Sequence, residues 1–211
     1  MAEAKLGLTA LAFTRGLVEH LHHVRVTEQA IEEAKNFLTG RRELRKKRLK
    51  KERGYEYVVE LVFRPRITQY AKNALGITSD LSRRIYSSHF HTTSDTEREW
   101  KREWECFKRA HPEVDTDDAG HSRRADLFIA MDVGLVSIEF KYLRAQSKPA
   151  AKACVTQIRQ HLTKHRASVL VVYAATPPSA GLASTAEEIS VELRGRNGFV
   201  VVVTGPPIEF P

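Results

Sequence analysis

The chain has 211 residues, enough for one substantial core with a smaller helical appendage, and its 42% apolar and 28% charged residues are ordinary for a globular protein. A net charge of +8 points to a polyanionic partner. Cys106 and Cys154 are too few for a disulfide framework and lack CxxC spacing for zinc, so they are expected to be small buried hydrophobes. No apolar run approaches the ~18 residues of a membrane span, and Met1-Ala-Glu-Ala-Lys-Leu does not begin like a signal peptide. The expectation is no membrane association and a cytoplasmic location.

Residues 3–39 read as two helices. Leu6, Leu8, Leu11, Phe13, Leu17, Val18 and Leu21 recur at helix-like spacing up to His22-His23. Thr27 then looks like an N-cap, followed by Ala30, Ile31, Ala34, Phe37 and Leu38, with Gly40 as a stop. His20, His22 and His23 have no matching carboxylate or cysteine cluster and read as solvated or core-edge side chains. Residues 41–53 change composition abruptly, with nine Lys/Arg against two Glu, so the basic character is local. Arg41, Arg42, Arg45, Lys46, Lys47, Arg48, Lys50 and Lys51 are the candidate nucleic-acid contacts, since cations that displace phosphate counterions give affinity without sequence information. A solvated connecting helix is the equal alternative.

After Gly54, Tyr55-Glu-Tyr-Val-Val-Glu-Leu-Val-Phe fits either a strand or a helix running to Arg64, and periodicity leaves both open. Ile67 to Leu75 reads as a helix ending at Gly76, and the stretch from Thr78 to Tyr86 could cap and begin another. The first 90 residues are therefore expected to be mostly helical. Ser94 with Glu97 forms a capping-box pattern, and Trp100, Trp104 and Phe107 make the core stripe of an amphipathic helix. Glu97 and Glu103 border that stripe. Residues 111–123 read as polar loop, because Asp115, Asp117 and Asp118 lack the Gly and distal Glu of a calcium loop.

Arg124 to Lys141 reads as two apolar strands joined by a turn, with Asp126 at the start of the first and Glu139 and Lys141 at the end of the second. Residues two apart on a strand share a face, so Glu139 and Lys141 project together while Ile138 and Phe140 face the other way. Two carboxylates and an ammonium so placed suit a hard metal ion and a hydrolytic water. Pro149 to His165 reads as a helix bearing Gln157 and His161, and Ala167 to Ala174 as a buried strand. Thr185 to Arg194 reads as a helix and Phe199 to Thr204 as a second buried strand. This order predicts an α/β fold with a sheet of mixed direction.

Asp126, a turn, then Glu139-Phe140-Lys141 resembles the PD-(D/E)xK nuclease superfamily, whose pattern is an Asp entering one strand and Glu/Asp-x-Lys on the next. Ala125 stands where that pattern has proline, and Gln157-Ile-Arg-Gln-His161 has His where repair exonucleases of the superfamily have Tyr. The resemblance covers about residues 94–204. It implies a restriction-endonuclease-like core, a mixed central sheet flanked by helices, over residues 91–211, behind a mostly helical region over 1–90. It also implies a metal-dependent nuclease acting on DNA, with Mg²⁺, or Mn²⁺, held by Asp126, Glu139 and the Phe140 carbonyl. A Glu from the preceding helix, Glu97 or Glu103, would join them. Lys141 would stabilise developing charge, or act as a base if burial lowers its pKa, and Gln157 would position water or a phosphate. The alternative is a non-catalytic nucleic-acid-binding module on the same fold. Oligomeric state is open, with a homodimer among the alternatives.

Overall fold

The computed structural model describes residues 9–40, 52–76, 84–87, 97–111, 125–132, 134–143, 166–175 and 198–210. Helices α1 (Ala10–His22) and α2 (Glu28–Gly40) follow from local chemistry. The Thr9 and Thr27 hydroxyls accept from the N–H groups of Ala12 and Ala30, each at 3.2 Å, satisfying donors that the helix leaves open. One face of each helix is buried, through Phe13, Leu17 and Leu21 in α1 and Ile31, Ala34 and Leu38 in α2.

The stretch that periodicity left undecided is helical. α3 (Glu52–Leu75) runs for 24 residues, continues through Pro65 and ends at Gly76, whose φ of 62° suits glycine. Val58, Val59, Phe63, Ile67 and Ala71 are buried along it. The helix expected to begin at Thr78 does not include Ile85 and Tyr86. They belong to strand β1 (Ile85–Ser87), where pairing Ile85 with Ile129 overrides a local helical pattern. α4 (Glu97–Ala110) matches the expected amphipathic helix and buries Trp104 and Phe107. Cys106 is exposed, contrary to the expectation from composition, because it projects from α4 away from the Trp104–Phe107 stripe.

Strands β2 (Leu127–Ala130), β3 (Leu135–Leu143), β4 (Arg166–Ala175) and β5 (Gly198–Gly205) complete a five-stranded sheet in the order β1-β2-β3-β4-β5. The first two pairings are antiparallel and the last two parallel, so the fold is α/β with a mixed sheet. Gly134, at φ 92°, closes the β2–β3 turn, where its carbonyl accepts from the Met131 N–H at 3.0 Å. The helices expected at 149–165 and 185–194 lie outside the described residues, as do Cys154 and the Asp115–Asp118 loop. Among the described residues no helix is long and apolar enough to cross a membrane.

Helices cover both sheet faces. Leu127, Ile129, Val136, Ile138, Phe140, Val169, Val171 and Tyr173 join the buried residues of α1, α2 and α3 in one large core. Phe128, Ala130 and Leu135, alternating with these, pack instead with Trp104 and Phe107 of α4 and with Tyr86. Helices α1, α2 and α3 and the sheet thus share apolar interior. Phe13→Ala is expected to cost about 3–5 kcal/mol, since Phe13 is fully buried where α1 meets that core. Helical circular dichroism and tryptophan fluorescence should move together in one urea transition; two separate transitions would count against a shared core.

Candidate functional site

The β2–β3 register pairs Leu127 with Ile138, and its continuation sets Asp126 across from Glu139. β2 begins only at Leu127, so the Asp126 side chain supplies the next acceptor for β3: Asp126 Oδ2 accepts from the Phe140 N–H at 2.7 Å. Asp126 and Glu139 are both buried. Lys141 is two residues further along β3, with its Nζ 3.4 Å from Glu139 Oε1. The structure therefore brings together Asp126, Glu139, Phe140 and Lys141, as the sequence pattern implied.

It also brings in two carboxylates that sequence reasoning missed. Lys141 Nζ donates to Glu56 Oε1 at 2.6 Å. Glu60, buried on the same helix, accepts from the Ser87 hydroxyl at 2.5 Å, and its charge acts on Asp126. Glu56 and Glu60 are four apart, so once α3 is helical they lie one turn from each other on one side. The signal was present as two glutamates at helical spacing in an otherwise apolar run. It was unreadable while strand and helix were equally good.

Of the other candidates, Glu97 and Glu103 belong to α4, whose Trp104 and Phe107 pack on Tyr86 and Phe128. Their side chains lie outside the described set. Gln157 and the basic run Arg41 to Lys51 also lie outside the described residues. His20 is exposed and stacks on Tyr70, with ring centroids 5.4 Å apart, which accords with a core-edge histidine.

Burial pushes the Asp126 carboxyl well above the ordinary range, and Glu139 and Glu60 push it further. The Phe140 N–H and Lys141 pull in the opposite direction without prevailing. For Lys141, burial favours loss of the proton, but Glu139 and Glu56 outweigh it and hold the pKa above the usual lysine value. Lys141 is therefore an ammonium at neutral pH. The base role, which required a lowered pKa, is not supported.

Among the described residues no group of three or more His, Cys, Asp or Glu side chains forms a ready cage for a metal ion. The donor chemistry nevertheless suits Mg²⁺, which is commonly held by one or two carboxylates plus substrate oxygens and water. Asp126 and Glu139 provide that pair, and burial, with the charges of Glu139 and Glu60, keeps the Asp126 pKa raised despite Lys141. A proton or a bound cation would relieve the buried charge. Comparison with known proteins finds no match to any family model and none to a curated protein.

The Asp126 shift has a consequence for stability. Its folded pKa lies above the unfolded one, so the folded chain binds the extra proton, and this contribution is lost as pH rises through the folded pKa. Asp126→Asn keeps an oxygen for the Phe140 N–H and removes the charge. Its Tm in EDTA is expected to exceed that of the wild type at pH 7, with the gain disappearing near about pH 4, where the unfolded Asp takes up its proton. Equal melting curves at neutral pH would argue against a burdened carboxylate.

Proposed function

We propose that this protein is a metal-dependent nuclease that hydrolyses phosphodiester bonds in DNA, with a PD-(D/E)xK-type site on a restriction-endonuclease-like core. The observation that carries the reading is the pair of buried carboxylates, Asp126 and Glu139, set across from each other where the β2–β3 pairing stops, with the Lys141 ammonium beside them. Asp126, Glu139 and the Phe140 carbonyl would hold Mg²⁺ or Mn²⁺, and Glu60 offers the helix carboxylate from α3. When bound, the metal ion supplies Lewis-acid polarisation of the scissile phosphate.

The chain's own residues do the rest. Asp126, fixed by the Phe140 N–H, keeps its carboxylate at the strand end with little freedom to reorganise. Lys141 acts as a cation, stabilising the charge that builds on the phosphate oxygens, rather than as the proton acceptor. Gln157 would orient water or a phosphate. The basic run Arg41 to Lys51 precedes α3 in the sequence, and its composition favours a polyanionic substrate.

The test is incubation of linear, circular, single-stranded and branched DNA with Mg²⁺, Mn²⁺ or EDTA. Cleavage is expected with either metal and not with EDTA. Asp126→Ala and Lys141→Ala are each expected to reduce it by roughly 10²–10⁴-fold while leaving DNA binding largely intact. A pure chain that binds DNA in a salt-dependent manner yet cuts none of these forms would favour the non-catalytic binding module.

A further inference from the structure

We propose that Glu56 is a positioning residue for Lys141, holding the ammonium beside Glu139 in the attitude from which it meets a phosphate oxygen; this rests on the nuclease reading above. A lysine ammonium rides on a flexible four-carbon stem and carries three donors. Without a restraint it would sample positions away from the strand face. Glu56 Oε1 takes one donor at 2.6 Å, a short charge-assisted bond, and Glu139 Oε1 lies 3.4 Å from the same Nζ. Lys141 is thus caught between the helix and its own strand.

Packing places the two partners. Tyr55 precedes Glu56 and Tyr142 follows Lys141, and their rings stack with centroids 5.2 Å apart and planes 6° from parallel. Phe210 meets Tyr55 edge-on at 4.9 Å. The Tyr142 hydroxyl accepts from the Ile208 N–H at 3.1 Å, and Tyr173 donates to the Pro206 carbonyl at 2.6 Å. The segment after β5 therefore clamps the stack that sets α3 against β3. The Glu56–Lys141 bond is the polar contact that this clamp delivers to the site.

Glu56→Gln separates positioning from packing, because glutamine has the same shape but loses the charge and one acceptor oxygen. In the metal-free full chain labelled with ¹⁵N-lysine, the Lys141 ammonium is expected to give a slowly exchanging side-chain signal, assigned through its loss in Lys141→Arg. In Glu56→Gln that signal should broaden into exchange with water, and Glu56→Asp should recover part of it. In cleavage assays kcat of Glu56→Gln is expected to fall roughly tenfold to a hundredfold, with KM for DNA and the Mg²⁺ requirement within about twofold. An ammonium signal unaltered by Glu56→Gln overturns the proposal. So does a variant that cuts faster or binds DNA more tightly, since Glu56 would then be withholding Lys141 from phosphate. A signal lost in Glu56→Gln, from a wild type that cuts no DNA, supports the restraint on Lys141 and sinks the nuclease reading instead.

Discussion

Alternation along β3 is the constraint on which the site and the core both depend. Val136, Ile138 and Phe140 enter the interior shared with α1, α2 and α3, while Ser137, Glu139 and Lys141 take the intervening positions. A slip of one residue in the register with β2 or β4 would drive Glu139 and Lys141 into that interior and push three large apolar groups out. The pairings on both sides oppose such a slip, with Ile138 against Leu127 on one side and Val169 on the other. Burial of the even-numbered residues therefore fixes where the charges stand.

Charge at the end of a buried strand pair weighs against folding, and this chain carries it at several points. Asp126 and Glu60 sit out of water with their acceptors engaged by the Phe140 N–H and the Ser87 hydroxyl. Those bonds reduce the penalty of burial without removing it, as the raised Asp126 pKa records. The apolar interior offsets the remainder. Phe13, Phe63, Phe140, Ile67 and Tyr173 are among its fully buried side chains, and they come from helices and strands far apart in sequence. Carboxylates held at such a cost are characteristic of places where a protein uses charge, which is the physical motive for reading the strand ends as a site.

Much of this arrangement is legible in the sequence. The Thr27 cap, the Trp104–Phe107 stripe and the apolar runs of β2 to β5 are short-range patterns, and the structure follows them. Asp126 and Glu139-Phe140-Lys141 were legible because period-2 alternation on a strand states which side chains share a face. Other features were not. Tyr55 to Phe63 suits strand and helix alike, so Glu56 and Glu60 had no assigned direction. Ile85 and Tyr86 join a sheet because β2 offers them a partner, a choice made 40 or so residues away. Cys106 looked apolar by its neighbours, yet its angle on α4 turns it outward.

The sequence by itself determined the α/β class, the strand pair with its Asp and Glu-x-Lys, and the Thr27 start of the second helix, since each is a property of spacing along the chain. Only the tertiary structure decided that α3 brings one glutamate into contact with Lys141 and a second whose charge acts on Asp126. It also decided the protonation of Lys141, because burial alone would have lowered its pKa and two carboxylates reverse the sign. Helix spacing can be read from one segment, whereas the field at an ammonium depends on every charge folded against it.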